Sequence, residues 1–229
     1  MKLVSVGCSF TEGQGVKPNK TYTHLLSKLI NCTYKNYGRA GHSNKYVFRK
    51  TIELLKNWNS NDILIVQWTN PNRDEIVTNE GYLFYPPFTT FFSLEFLYNN
   101  DTLVFDLKKD GIDDKSAFEK EVVNKKEKLV ETYCNEFYNE KYQYDMSFAF
   151  QLALHAILEK MNVKYIMFFG WQFAESNKYE TVLPFVNEKF IKETFAEYTN
   201  TNTPEHPSVE GHMEWSKLLF DKFKKFNYI

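Results

Sequence analysis

The stretch Met1–Gly15, MKLVSVGCSFTEGQG, decides how the rest of the chain is read. Lys2 to Gly7 is a short apolar run closed by a glycine, the pattern of a buried strand. Cys8, Ser9, Phe10 and Thr11 follow at once, so the strand runs straight into a turn. Ser9 has two possible jobs there. It can cap the start of a helix, as serine commonly does, or it can present a hydroxyl at a strand end for chemistry. A serine hydroxyl is a poor nucleophile alone, so the second job requires a base to take its proton and donors to hold an oxyanion.

Working outward, a helix is expected from about Thr21, with Leu25, Leu26, Leu29 and Ile30 on one face. TYKNYG (Thr33–Gly38) reads as a second strand, again ending on glycine. Lys45–Trp58 has helical spacing at Val47, Ile52, Leu54 and Leu55, and DILIVQW (Asp62–Trp68) is the clearest buried strand. Further on, Ser147–Met161 reads as a helix, VKYIMFFG (Val163–Gly170) as a strand, and a last helix runs from a Ser208 cap to about Phe226. Strands alternating with helices specify an α/β fold, a three-layer α/β/α sandwich around a central parallel sheet. Ligands in such sheets gather at the carboxyl ends of the strands. The segments after three of the strands are GCSFT, GRAGHSN and TNPNR, so the polar, glycine-rich loops converge on one rim.

Between about residues 76 and 145 the alternation stops. GYLFYPPFTTFFSLEFLY (81–98) is aromatic and broken by proline, and KSAFEKEVVNKKEKLVETYCNEFYNE (115–140) is a charged helical stretch with a solvated face. Residues 1–229 are therefore read as one domain carrying a largely helical, aromatic-rich insertion. Tyr82, Phe84, Tyr85, Phe88, Phe91 and Phe92 form either a platform for an acyl chain or sugar ring, or the packing of a subdomain or oligomer contact.

Composition narrows the setting. A net charge of −1 gives no general reason to expect nucleic acid or an anionic membrane as partner. No run approaches the roughly 18 apolar residues of a membrane span, and the first residues lack a secretory signal pattern. A cytoplasmic location follows as the expectation, with a virion as a second setting; the abundance of Asn, Lys, Tyr, Phe and Ile reads as the codon bias of an AT-rich genome, that of a virus or a low-GC bacterium, and carries little functional weight. Cys8, Cys32 and Cys134 show no C-x-x-C spacing, so reduced thiols are expected rather than a disulfide framework or zinc site. The sequons at Asn31 and Asn100 carry little weight without a secretory signal. The oligomeric state is not legible.

The residues quoted so far resemble the SGNH (GDSL-type) hydrolase superfamily, especially small members with G-C-S-F-T in place of G-D-S-x-x. GCSFTEG matches the first block, which implies Ser9 as nucleophile and its N–H as an oxyanion donor. GRAGHSN matches the second and implies the Gly41 N–H as another donor; WTNP matches the third loosely and implies the Asn70 side chain. TPEH matches the last block, D-x-x-H, and implies His206 as base. The resemblance covers residues 1 to about 73 and about 163 to 220. It implies a flavodoxin-like sandwich, no metal or organic cofactor, and a carbohydrate ester or other small ester as substrate. Two positions depart from the pattern: Cys8 replaces the aspartate before the serine, and Thr203 stands where the acid orienting the histidine belongs. Losing that acid can cost roughly 10⁴ in kcat, unless a backbone carbonyl holds the imidazole instead.

Each residue also has a plainer reading. His206 can be a loop histidine packed on Pro207, Gly41 a turn glycine, and Asn70 a cap for the segment after its strand. Thr11, His42 and Ser43 are candidates to line the site, or ordinary loop residues. Arg73 is a candidate for a substrate carboxylate or phosphate; the alternative is an ion pair with Asp74 or Glu75. His212 reads as structural, and Cys8 as a small buried residue. Two functions remain open: an esterase or acyltransferase using these residues, and a catalytically weakened binding or structural module on the same fold.

Overall fold

The computed structural model describes residues 1–78, 81–85, 132–133, 136–171, 185–198 and 206–229, with backbone alone at 76–78, 81–85 and 198. Its strands are β1 (Lys2–Gly7), β2 (Thr33–Gly38), β3 (Ile63–Trp68), β4 (Asp74–Thr78), β5 (Gly81–Tyr85) and β6 (Lys164–Phe169). Its helices are α1 (Ser9–Glu12), α2 (Tyr22–Leu29), α3 (Asn44–Leu55), α4 (Glu140–Lys160) and α5 (Val209–Lys225).

β2, β1, β3 and β6 form a parallel sheet in that order. The chain runs from β1 to β2 on one side and returns to place β3 on the other, so the strand order reverses beside β1. Crevices for ligands form outside the strand ends at such switch points. On the far edge, the Met167 N–H donates to the Lys189 carbonyl at 2.8 Å, and the Ile191 N–H to the Met167 carbonyl at 2.9 Å. That pairing extends the sheet by one parallel bridge beyond β6.

Successive side chains of a strand face opposite ways, and the apolar residues divide accordingly. Leu3, Ile63, Ile65, Ile166 and Phe168 pack with Tyr22 and Leu26 of α2 and with Trp215, Leu219 and Phe223 of α5. Val4, Val6, Leu64, Val66, Trp68, Tyr165, Met167 and Phe169 pack with Val47 and Leu55 of α3 and Leu154 and Leu158 of α4. Two cores on two faces make the three-layer sandwich expected from the alternation. Among the described residues no helix is long and apolar enough to cross a membrane.

Two expectations are corrected. The face expected on α2 is narrower, since Leu26 is buried but Leu29 is 47% exposed. α4 begins at Glu140, earlier than Ser147. Its inner face there consists of Gln143, Ser147 and Gln151, which are buried but polar, so apolar periodicity could not reveal it. The described start of the insertion is an antiparallel hairpin, β4 with β5. Buried Asp74 and Glu75 root that hairpin: Asp74 pairs with Lys45 and accepts hydrogen bonds from Tyr133 and from Gln143 Nε2, the latter at 2.7 Å, while Glu75 pairs with Arg49 at 2.7 Å. The charged stretch 115–131, Cys134, Phe88, Phe91, Phe92 and Asn100 lie outside the described residues.

Gly38 ends β2 against the α1 backbone. A Cβ there would lie 2.1 Å from the Glu12 nitrogen and 2.5 Å from the Thr11 carbonyl carbon, and neither atom can swing aside. Gly38→Ala should therefore lose about 1–3 kcal/mol, the usual cost of overpacking. In a thermal melt that is a fall of several degrees; an unchanged melting temperature would show that the two elements are not in such close contact.

Candidate active site

The turn from β1 into α1 is held from the neighbouring strand. Gln67 is a buried polar residue in the otherwise apolar ILIVQW of β3, and its carboxamide reaches across to β1. Gln67 Oε1 accepts from the Cys8 N–H at 3.2 Å, the Thr11 N–H at 3.1 Å and the Thr11 hydroxyl at 2.7 Å. Its Nε2 donates to Cys8 Sγ at 3.0 Å and to the Trp68 carbonyl at 3.2 Å. Because the Thr11 hydroxyl gives its proton to Gln67, the hydroxyl of Tyr22, 3.0 Å away, must be the donor to Thr11.

This arrangement settles the position of Ser9. The N-cap of α1 is Cys8, and Ser9 is the first helical residue. The Thr11 amide, which a capping serine would take, belongs to Gln67. Ser9 Oγ instead makes a long contact of 3.9 Å with Cys8 Sγ and is 2% exposed. The Cys8 thiol is fully buried, which disfavours its ionisation. The charge of Arg73 and the polar groups of Thr69, Gln67 and the Phe10 amide outweigh that burial and bring its pKa below the ordinary thiol value.

His206 returns to the same rim. Its ring lies edge-on to Phe10 at 5.3 Å and to Trp171 at 6.4 Å, while Phe10 and Trp171 are 4.4 Å apart. Pro207 and the Ser208 cap, which accepts from the Gly211 N–H at 3.2 Å, fix the chain just after it. Thr203 lies outside the described residues.

Asn70 sits two residues beyond β3, beside β1, at the head of a tight turn closed by the Arg73 N–H to the Asn70 carbonyl at 3.1 Å. Pro71 presets the second position of that turn. Asn70 Oδ1 accepts from the Asn72 N–H at 2.9 Å, which orients the carboxamide and leaves its nitrogen as donor. Asn44 holds the strand end just before it, accepting from the Thr69 N–H at 2.8 Å and donating to the Thr69 carbonyl at 3.0 Å and to Ser147 Oγ at 2.6 Å. Gly41 follows β2 with φ +75°, a backbone that glycine tolerates and other residues rarely do. Its loop is tied to α1 by the Ala40 N–H donating to the Glu12 carboxylate at 2.7 Å.

The remaining candidates have other work. Thr11 is fully buried and braces the turn through Gln67. Ser43 is likewise buried and caps α3, accepting from the Lys45 N–H at 3.2 Å. His42 is 3% exposed and donates from Nδ1 to the Ala40 carbonyl at 2.9 Å, which makes it a brace of the Gly41 loop. Gln67, Asn44 and Trp171 were not singled out from sequence. For Gln67 the signal was present, a lone carboxamide inside an apolar strand.

Among the described residues no group of three or more His, Cys, Asp or Glu side chains is placed to hold a metal. Clefts of about 320 Å³, between α1 and the end of β2, and about 410 Å³, between the 186–193 segment and α5, are not lined by Ser9.

Burial lowers the pKa of His42 to about 4, and burial with the nearby His206 lowers that of His212, whose Nδ1 accepts the Tyr22 N–H at 3.0 Å, to about 4. In the unfolded chain both titrate near 6.5, roughly the free histidine value. Between those values the unfolded chain binds protons that the folded one excludes. Their contribution to stability is therefore complete above about pH 6.5 and lost as the pH falls to about 4. The urea midpoint should drop from pH 7.5 to pH 5, and less steeply in His212→Asn; equal midpoints in the wild type would contradict this.

No protein-family model matches the chain, and no curated protein matches it in sequence. Solved structures do. The chain is similar to the psychrotrophic esterase EstA from Pseudoalteromonas sp., a structure inhibited by monoethylphosphonate, with 8% identity, 100% of this chain and 99% of that one covered, and a TM-score of 0.53. It is also similar to TesA, with 10% identity, 98% and 99% covered, and a TM-score of 0.52. At such identities the likeness concerns the fold. The chain shares its fold with these two proteins, in line with the α/β/α sandwich that the SGNH (GDSL-type) resemblance of its sequence implies.

Proposed function

We propose that the protein is an SGNH-type serine ester hydrolase acting on an acylated carbohydrate or another small ester. The observation that carries this reading is the release of Ser9 from capping: Cys8 occupies the cap position and Gln67 takes the Thr11 amide, so the hydroxyl is left with a long contact to Cys8 Sγ rather than a cap bond. His206 takes the proton of Ser9 Oγ as the oxygen attacks the ester carbonyl. The N–H groups of Ser9 and Gly41 and the Asn70 side chain receive the developing oxyanion, each worth about 2.7–4 kcal/mol in comparable sites. Collapse expels the alcohol with the proton from His206, and water, deprotonated by the same imidazole, releases the acid. Transfer of the acyl group to a sugar hydroxyl uses the same groups with a different acceptor.

A binding module on this fold is the second reading, favoured by Thr203 in place of an acid and by the 2% exposure of Ser9. The two separate in one experiment. Wild-type protein should hydrolyse short-chain p-nitrophenyl esters and gain one ethylphosphonyl mass from an ethylphosphonate p-nitrophenyl ester. Ser9→Ala and His206→Ala should each lose about 10³-fold or more in kcat, and Ser9→Ala should gain no mass. A wild type with neither turnover nor adduct would favour the binding module.

A further inference from the structure

Arg73 has no counterion among the described residues. The two carboxylates beside it in sequence are taken: Asp74 by Lys45 with Gln143 and Tyr133, and Glu75 by Arg49. No described residue accepts a hydrogen bond from the Arg73 guanidinium, and its Nη1 is buried. Arg73 is half-buried, and a cation partly withdrawn from water without hydrogen-bond partners is unfavourable unless something else offsets it. The ring of Trp171 does so in part: Arg73 Cζ lies 5.6 Å from the ring centroid, within cation–π range.

The position of this unpaired charge is informative. Arg73 and Asn70 close one tight turn, which keeps their Cα atoms within about 7 Å of each other. Trp171, which carries the guanidinium, packs on Phe10, the residue after Ser9, and on His206. The guanidinium therefore stands at the same strand-end rim as the serine, the histidine and the asparagine. A planar fork of donors is suited to a carboxylate or phosphate, which it binds through two parallel hydrogen bonds.

We propose that Arg73, stacked on Trp171, anchors an anionic group of the substrate, so that the site takes esters whose acyl or alcohol part carries a carboxylate or phosphate. The assignment rests on the hydrolase reading for its position and names the substrate class of that site. Arg73 is on this account a specificity-determining residue, and the reacting groups remain Ser9 and His206.

The test compares matched esters: mono-p-nitrophenyl succinate with p-nitrophenyl butyrate for the acyl side, and 4-acetoxyphenyl phosphate with 4-methoxyphenyl acetate for the alcohol side. Wild type should prefer the anionic member of at least one pair by tenfold or more in kcat/KM. Arg73→Gln should bring that ratio close to one, and Arg73→Lys should retain part of it. A wild type without preference, or an Arg73→Gln variant that lowers both members alike, overturns the proposal. If no ester is hydrolysed and no phosphonate adduct forms, the hydrolase reading fails separately. The anion site is then read by calorimetric titration of succinate and inorganic phosphate into wild type and Arg73→Gln. Binding that disappears in the variant supports the site, and binding that is absent or unchanged overturns it.

Discussion

The site depends on one side chain, the carboxamide of Gln67. Every polar atom of it is used: its oxygen accepts three hydrogen bonds from Cys8 and Thr11, and its nitrogen donates to Cys8 Sγ and to the Trp68 carbonyl. Two glycines make room for it. A Cβ on Gly7 would lie 2.7 Å from its oxygen, and one on Gly170 2.1 Å from its nitrogen. The chain thus bends from β1 into α1 under the control of a group on β3. Without that group three donors in the interior would lack an acceptor, each a loss of about 1–3 kcal/mol.

The same economy extends along the rim. Asn44 treats Thr69 as a strand partner would, bonding both its N–H and its carbonyl, and so places the turn that carries Asn70 and Arg73. Glu12 does the equivalent for the loop of Gly41 through the Ala40 amide. Polar side chains outside the proposed reacting set thus position the backbone of the candidate site residues, from elements packed on the two apolar cores.

The sheet was legible because its strands are apolar, short and bounded by glycine. Strand ends placed Ser9, Gly41 and Asn70 on one rim, which is a property of topology and needs no side-chain detail. Less was legible where polar residues are buried. The start of α4 was hidden because Gln143, Ser147 and Gln151 face inward without being apolar. Thr11, Ser43 and His42 serve as a brace, a cap and a brace, roles that small polar groups near glycine suit and that the sequence pattern does not distinguish from lining a site. The ion pairs of Asp74 and Glu75 depend on Lys45 and Arg49 of another helix, so the lack of a carboxylate for Arg73 among the described residues is a tertiary fact that no local pattern carries.

The most direct measurement is a crystal structure of the protein after reaction with an ethylphosphonate ester. The account predicts phosphorus bonded to Ser9 Oγ, with one phosphonyl oxygen about 2.7–3.1 Å from the Ser9 and Gly41 nitrogens and from Asn70 Nδ2, as oxyanion donors require. Phosphorus on another side chain, or an oxygen turned away from those three donors, would contradict it.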